Sequence, residues 1–246
     1  MSTDILFTDL DGTLLDHHTY QPGPALPELR RLVAAGVRVV PASAKTPAEL
    51  AHLMAELGLD GPAIAENGAA VIGPQGERVL GLPYPEVRSR LAAAAEEAGA
   101  TVRGFGDMPT EEVAARTGLD PGAAERARAR RWTETFELVT GDAQALATAM
   151  RARGLRITRG ARFFTAMGRH DKGDAARLLL ADGAARSWAV GDAPNDAELL
   201  AVVHHPMVVR GYDGNWADLD VPNLRRLDGI GPAGWVLAAR VIRPGA

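Results

Sequence analysis

Two carboxylates, Asp9 and Asp11, lie one residue apart in the stretch FTDLDGTLLD, at the end of an apolar ILF run that is typical of a buried strand. Ionised acids are costly to bury, so this pair favours a polar strand end over a place in the core. Ligands of open parallel sheets bind outside the carboxyl ends of the strands. The pair therefore predicts a ligand site at such an edge.

Other polar side chains follow predicted strands or open a predicted helix further along the chain. They are Ser43 with Lys45, Lys172, and Asp192 with Asn195 and Asp196. Acids that meet at one sheet edge, such as Asp9, Asp11 and Asp192, repel each other and raise one another's pKa unless a cation lies between them. Oxygen ligands, with room left for water and a phosphate oxygen, favour Mg²⁺ over zinc. These residue types therefore predict a magnesium site.

Lys172 predicts an anion in the same place. A cation in the first turn of a helix opposes the helix dipole by roughly 0.3 to 1 kcal/mol at exposed sites, so it needs a negative partner. A phosphoryl group would supply that charge, and it would also use the Ser43 hydroxyl and backbone N–H groups.

The order of predicted elements indicates an α/β fold. TDILFTD and VRVVPAS read as strands around the helix PALPELRRLVAAG, and DKGDAARLLLADG, SWAVGD and PNDAELLAVV resume the alternation as helix, strand and helix. We therefore predict a Rossmann-like, doubly wound parallel sheet with helices on both faces. The helical middle of the chain predicts an inserted α+β cap domain at residues 82–165, between catalytic core parts at 1–81 and 166–246.

Two shorter stretches carry local signals. Thr46, Pro47 and Glu49 occupy capping-box positions at the start of the helix TPAELAHLMAELG. The stretch PAIAENGAAVIG predicts a short strand followed by a hairpin.

Composition argues against several classes of protein. The 246 residues are 46% hydrophobic and 24% charged, as in soluble globular proteins, and no apolar run approaches the roughly 18 residues of a membrane span. A net charge of -4 argues against a broad nucleic-acid footprint. The absence of cysteine excludes disulfides and thiolate ligands. MSTDILF shows no secretion signal, so we expect a cytoplasmic protein with no nucleic-acid or membrane partner.

Four ordered motifs resemble those of the haloacid dehalogenase superfamily of phosphohydrolases. They are DLDGT at 9–13, Ser43, Lys172 followed by Gly173, and GDAPND at 191–196. A finer resemblance covers almost the whole chain, because PASAKTPAEL, AENGAAV, GFGDMPTEEVAARTGL, RRWTETFEL and GARFFTAMGRHDKGDA are similar to the mannosyl-3-phosphoglycerate phosphatase family. The chain departs from that family at Trp132, in place of a tyrosine-containing stretch, and at Ser43, where threonine is common.

The family resemblance implies Mg²⁺-dependent release of phosphate from a small glycosyl-3-phosphoglycerate, which leaves the glycosylglycerate, a compatible solute. It implies that Asp9 is the nucleophile that forms an aspartyl-phosphate, and that Asp11 protonates the leaving oxygen and then deprotonates water. Mg²⁺ is expected on Asp9, Asp192 and the backbone carbonyl of Asp11. The inserted cap would be of type IIB.

The resemblance also implies supporting roles for matching residues. Ser43 and Lys172 are expected to hold phosphate oxygens. Residues expected to orient the metal ligands or to lock the turn after the acids are Thr13, Asn195 and Asp196. Residues expected to bind the rest of the substrate are Lys45, Glu66, Asn67, Arg130 and Glu134.

Several alternatives stay open on sequence alone. A general sugar-phosphate phosphatase with a similar cap would carry the same motifs. A receiver-type signalling domain also gathers acids, a hydroxyl residue and a lysine around Mg²⁺, although the length, the cap insertion and the GDxxND stretch speak against it. Asn67 and Gly68 are as readily a hairpin turn as a substrate contact. The sugar and the oligomeric state are left undetermined.

Overall fold

The computed structural model describes residues 3–159 and 163–243. Residues 1–2, 160–162 and 244–246 lie outside the described residues, and they include the start of MSTDILF and the GAR of GARFFTAMGRHDKGDA. The strands are β1 (Thr3–Thr8), β2 (Arg38–Pro41), β3 (Ala63–Ala65), β4 (Ala70–Gly73), β5 (Gly76–Val79), β6 (Thr101–Gly104), β7 (Thr133–Thr140), β8 (Arg156–Arg159), β9 (Phe164–Met167), β10 (Ala184–Gly191), β11 (His205–Arg210) and β12 (Arg225–Ile230). The α-helices are α1 (Ala25–Ala34), α2 (Pro47–Leu57), α3 (Tyr84–Glu97), α4 (Thr110–Thr117), α5 (Pro121–Arg128), α6 (Ala143–Ala152), α7 (Lys172–Leu180), α8 (Ala197–Leu200) and α9 (Gly231–Val241).

The chain divides into two compact units. The first comprises Met1–Ala44, Leu53–Arg78 and Asp171–Ala246, and the second comprises Lys45–His52 and Val79–His170. The core and cap boundaries drawn from the sequence stay a prediction.

A parallel sheet in the order β12, β11, β10, β1, β2 forms the centre of the first unit. Thr8, the last residue of β1, pairs with Val190 of β10 and with Pro41 of β2. Because parallel strands end at the same edge, the segments that follow β1, β2 and β10 emerge side by side. This is the edge at which the sequence predicted that Asp9, Asp11 and Asp192 would lie.

Alternate residues of β1 face opposite layers of helices. Ile5 and Phe7 are buried in a cluster that includes Leu179 of α7. On the other face, Trp235 of α9 contacts Thr8, and α1 packs against α9. Each large apolar side chain buried in this way contributes about 1.5 to 3 kcal/mol. Helices therefore cover both faces, and the predicted doubly wound α/β fold is confirmed.

Three local predictions have different outcomes. The capping box is confirmed, because the Thr46 amide donates to Glu49 Oε2 at 2.8 Å and the Glu49 amide donates to Thr46 Oγ1 at 3.2 Å. The hairpin is confirmed by the antiparallel pairing of β3 with β4. The single helix predicted for PNDAELLAVV is wrong in its extent, because Pro194–Asp196 form a 3₁₀ turn and the α-helix that follows spans only Ala197–Leu200.

The second unit has an α+β architecture of its own. Its sheet is antiparallel, in the order β6, β7, β9, β8. Helices α3 and α6 pack on this sheet through buried residues such as Leu91, Phe136 and Met150. Helices α4 and α5 enclose a smaller apolar cluster around Phe105 and Val113. In the part of the chain that the structure describes, no helix combines the length and the apolar character that crossing a membrane requires.

Candidate active site

The chain that leaves β1 makes a tight turn that carries Asp9 and Asp11. The Asp9 amide donates to the carbonyl of Val190 at 2.9 Å, so the first acid still belongs to the sheet edge. Gly12 has a φ of +88°, and a Cβ at this position would lie 2.8 Å from Asp192 Oδ2. Glycine is therefore needed both for the turn and for the close approach of Asp192.

Lys172 is buried between two carboxylates. Its Nζ donates to Asp9 Oδ1 at 2.6 Å and to Asp196 Oδ1 at 2.7 Å, and the lysine side chain is only 1% exposed. Asp171 caps this end of α7 by accepting from the Asp174 amide at 2.9 Å. The anion that the sequence predicted beside Lys172 is thus supplied, within the protein itself, by Asp9 and Asp196.

Asp192 and Asp196 have different surroundings. Asp192 Oδ1 accepts from the Thr13 hydroxyl at 2.6 Å, so Thr13 orients this acid. Asp196 Oδ2 accepts from the amides of Asp192 and Ala193 at 3.1 and 3.2 Å, while its Oδ1 accepts from Lys172. Both oxygens of Asp196 are therefore engaged by protein donors. Asn195 lies beside it in the same 3₁₀ turn.

Burial and mutual repulsion disfavour the ionised forms of these acids. Burial raises the pKa of Asp9 well above its ordinary value, Asp196 and Asp192 raise it further, and only Lys172 opposes them. Burial and Asp196 raise the pKa of Asp192 to about 6. Burial alone would lower the pKa of Lys172, but Asp196 and Asp9 more than offset this and raise it. The site therefore holds more negative charge than Lys172 alone can compensate.

The acids fit a hard divalent cation. Ligand atoms of Asp9, Asp192 and Asp196 all lie within 4.8 Å of one another, and all three residues offer oxygen. Because both Asp196 oxygens already accept hydrogen bonds, Asp9 and Asp192 are the better ligands and Asp196 is better placed to orient them. The Asp11 side chain is not part of this cluster of three carboxylates. From the sequence we expected Asp11 to contribute only its backbone carbonyl to the metal.

A left-handed turn joins the Ser43 segment to the start of α7. Glu66, Asn67 and Gly68 have φ values of +47°, +58° and +96°. The Asn67 amide donates to the carbonyl of Ser43 at 2.9 Å, and Ser43 itself is buried. A Cβ on Gly68 would lie 1.9 Å from the carbonyl oxygen of Asp171. The sequence indicates a hairpin turn or a substrate contact for this Asn-Gly pair, and it gives no sign of the contact between Gly68 and the start of α7.

Alanine at Gly68 is expected to destabilise the protein more than alanine at Gly76. Both glycines have a positive φ, which costs an L-residue about 1 to 2 kcal/mol, but a Cβ at Gly76 meets nothing within 4 Å. At Gly68 the added methyl must also displace backbone, so we expect a total loss of roughly 3 kcal/mol or more. Urea unfolding of Gly68→Ala and Gly76→Ala measures the difference. Equal losses would show that the backbone conformation alone decides both.

The remaining predicted substrate residues lie partly in the second unit. Lys45 and Arg130 are half-buried there, and Arg130 Nη1 donates to Thr133 Oγ1 at 2.7 Å. Glu134 is 1% exposed and accepts from the Tyr84 hydroxyl at 2.6 Å. Arg88 Nη1 lies 3.6 Å from Glu134 Oε2, and Glu134 Oε1 has no hydrogen-bond partner among the described residues.

Comparisons with known proteins agree with this geometry. A family model described as haloacid dehalogenase-like hydrolase matches residues 6–91. A protein of Methanococcoides burtonii named glucosyl-3-phosphoglycerate/mannosyl-3-phosphoglycerate phosphatase is 34% identical, with 94% of each chain covered. A protein of Persephonella marina with the same name is 31% identical, again with 94% of each chain covered. A crystal structure from Thermoplasma acidophilum superposes with a TM-score of 0.74 at 16% identity over 98% of this chain and 100% of that one, a likeness that shows the fold alone.

Proposed function

The chain belongs to the family of glucosyl-3-phosphoglycerate/mannosyl-3-phosphoglycerate phosphatases, and we propose that it hydrolyses one or both of these esters to phosphate and the glycosylglycerate. The observation that carries this proposal is the position of Asp9 at the sheet edge, held at 2.6 Å by the buried Lys172 beside Asp192. A carboxylate, a cation and a set of metal-binding acids in one place are the groups that phosphoryl transfer needs.

Asp9 is the proposed nucleophile. Its backbone is tied to β10 and its carboxylate is held by Lys172, so the attacking group has a set position before substrate arrives. Attack in line on phosphorus forms an aspartyl-phosphate and expels the glycerate oxygen. One difficult displacement is thereby divided into two easier ones.

Asp11 is the proposed general acid and base. It follows Asp9 by two residues on the same turn and is less buried than Asp9, so its carboxyl group is the second acid near the reacting phosphorus. In the first step it gives its proton to the leaving oxygen. In the second it takes a proton from the water that attacks the aspartyl-phosphate, which restores both acids.

Mg²⁺ is the proposed cofactor. Its proposed protein ligands are the side chains of Asp9 and Asp192 and the backbone carbonyl of Asp11. When bound, such an ion withdraws charge from the phosphate and offsets the repulsion between the carboxylates. Thr13 keeps Asp192 in place, and Asp196 keeps Lys172 in place. Lys172 and Ser43 would hold phosphate oxygens.

Substrate selectivity is proposed to rest on Lys45, Glu66, Asn67, Arg130 and Glu134. Two of these residues have an unused buried acceptor, since Asn67 Oδ1 and Glu134 Oε1 lack a hydrogen-bond partner among the described residues. Unpaired buried acceptors are costly unless a ligand donor reaches them. The sugar and glycerate hydroxyls are donors of the required kind.

The test is phosphate release by the purified full chain from mannosyl-3-phosphoglycerate, glucosyl-3-phosphoglycerate and several hexose phosphates, with Mg²⁺ or with EDTA. We expect kcat/KM for a glycosyl-3-phosphoglycerate to exceed that for hexose phosphates by roughly tenfold or more, because unmet hydrogen-bond partners penalise the smaller substrate. A preference for hexose phosphates would favour a general sugar-phosphate phosphatase. A single turnover without release would favour a phosphoacceptor.

Stabilisation by Mg²⁺ is expected to increase with pH. Burial and Asp196 raise the pKa of Asp192 to about 6. In the metal-free protein this raised pKa favours the protonated native form, so the stability it contributes is present at low pH and is lost as the pH rises through about 6. Because metal and protons compete for the same carboxylate, Mg²⁺ restores stability mainly above this pH.

Thermal unfolding with excess Mg²⁺ or EDTA, at about pH 5 and about pH 7.5, measures this effect. Asp192→Asn is the control, since an amide does not titrate, and we expect the pH dependence of the metal effect to be smaller in it, while Asp9, the other proposed ligand, continues to titrate. An equal Mg²⁺-induced rise in Tm at both pH values in the unmodified protein would contradict the proposed ligand role of Asp192.

A further inference from the structure

We infer that Thr8 and Trp235 position the nucleophile through a hydrogen-bond chain that runs from α9 to the backbone of Asp9. The inference rests on the proposed role of Asp9 and adds the last residue of β1 and one residue of helix α9. Trp235 Nε1 donates to Thr8 Oγ1 at 3.0 Å, and Thr8 Oγ1 donates to the carbonyl oxygen of Asp9 at 2.7 Å.

The direction of this chain follows from the chemistry of its two links. An indole N–H is a donor only, and a hydroxyl group has a single proton to give. Because Trp235 donates to the Thr8 oxygen, the hydroxyl proton is left for the Asp9 carbonyl. Both side chains are fully buried, so water does not compete for either bond. The indole therefore selects the rotamer in which Thr8 holds Asp9.

The bond to the Asp9 carbonyl completes the attachment of the nucleophile's backbone. The Asp9 amide donates to Val190 of β10 at 2.9 Å, and the Ala42 amide after β2 donates to the Thr8 carbonyl at 2.8 Å. Without the hydroxyl, the peptide after Asp9 could rotate, and small errors in the position of a reacting group are costly.

Helix α9 meets the same segment at a second point, one turn earlier. A Cβ built on Gly231 would lie 3.4 Å from the carbonyl oxygen of Gly12. Gly231 and Trp235 are four residues apart, so they lie on the same face of the helix. That face therefore spans the turn from Thr8 to Gly12, with Asp9 and Asp11 between its two contacts.

Four variants test the chain, with kcat and KM measured at saturating Mg²⁺. Thr8→Val keeps the shape but removes the hydroxyl, and we expect kcat to fall about tenfold with KM little changed, the rate equivalent of one lost hydrogen bond. Thr8→Ser keeps the hydroxyl and should retain near-normal kcat. Trp235→Phe should lower kcat about threefold, because Thr8 keeps its hydroxyl but loses its orientation.

The double variant Thr8→Val with Trp235→Phe separates positioning from packing. If Trp235 acts only through the hydroxyl, the second substitution has no further effect on kcat once Thr8 is valine. Trp216→Phe is the matched control, because Trp216 Nε1 also donates 3.0 Å to a partner in the same unit, the carbonyl of Leu227. It should lower Tm and leave kcat unchanged. Should Thr8→Val not fold, Thr8→Ala gives the same comparison.

Three results would overturn the inference. They are unchanged kcat in Thr8→Val, equal losses in Thr8→Val and Thr8→Ser, and additive losses in the double variant. Each of these results can be obtained only if the unmodified enzyme is active. If the unmodified enzyme releases phosphate from none of the esters, the proposed function fails first, so the two failures are distinguishable.

Discussion

Asparagine in place of Asp9 is expected to abolish phosphate release while the protein stays folded. The amide nearly matches the carboxylate in shape, and its oxygen can still accept a hydrogen bond from Lys172. In the unmodified protein Lys172 Nζ lies 2.6 Å from Asp9 Oδ1. It is not a competent nucleophile toward phosphorus, so the two-step route is lost. We expect kcat to fall by roughly 10⁴-fold or more, measured as phosphate release with Mg²⁺ present.

Asp16→Asn is the matched control for this substitution. It makes the same chemical change in the same segment, where Asp16 Oδ1 accepts from the amides of His18 and Thr19 at 3.0 and 2.9 Å. An asparagine oxygen can keep both bonds, so kcat should stay normal. Mass spectrometry of acid-quenched enzyme should detect a phosphoryl adduct in the unmodified protein and none in Asp9→Asn. Undiminished phosphate release by Asp9→Asn would remove Asp9 from the mechanism.

Methionine in place of Lys172 is expected to weaken both stability and turnover and to make the fold depend on metal. The ammonium lies within 2.7 Å of Asp9 and Asp196 and is buried with them. Removing one partner of a buried charge pair costs about 3 to 5 kcal/mol, because the other charge is left uncompensated. Loss of a cation from the phosphate should lower kcat by roughly 100-fold or more.

Mg²⁺ should restore part of the stability of Lys172→Met, because the ion supplies positive charge to the same carboxylates. The rise in Tm between EDTA and excess Mg²⁺ should therefore be larger in this variant than in the unmodified protein. Arg78→Met is the control, since Arg78 pairs with Asp182 at 2.9 Å on the surface and exposed pairs contribute about 0 to 1 kcal/mol. If Lys172→Met lowers the free energy of unfolding no more than Arg78→Met does, the buried charge cluster does not contribute the proposed stability.

The sequence was most informative about the sheet edge. Strands alternate with helices, and acids or hydroxyls stand directly after β1, β2 and β10, so parallel pairing alone brings Asp9, Ser43 and Asp192 to one place. Local signals of this kind depend on residues near each other in the chain. The capping box of α2 and the β3–β4 hairpin were predictable for the same reason.

Contacts between distant segments were not predictable from local patterns. Nothing in the stretch around Thr8 shows that its hydroxyl meets the indole of Trp235, and Trp235 reads simply as a core residue. Gly68 reads as a turn residue, although the backbone of Asp171 lies where its side chain would be. The predicted set of partners for Lys172 was also incomplete. The sequence predicted a phosphate group, and the structure shows that Asp196 also binds the Lys172 ammonium.

The position of β1 in the middle of the sheet has a consequence during synthesis on the ribosome. β1 is made before both of its neighbours, and one of its two edges stays open until β10, residues Ala184–Gly191, has been translated. An open strand edge can pair with other chains, and a strand that waits for a distant partner prolongs that exposure. Lys172 and Asp192 also arrive late, so a nascent chain carries its nucleophile long before it can act as an enzyme.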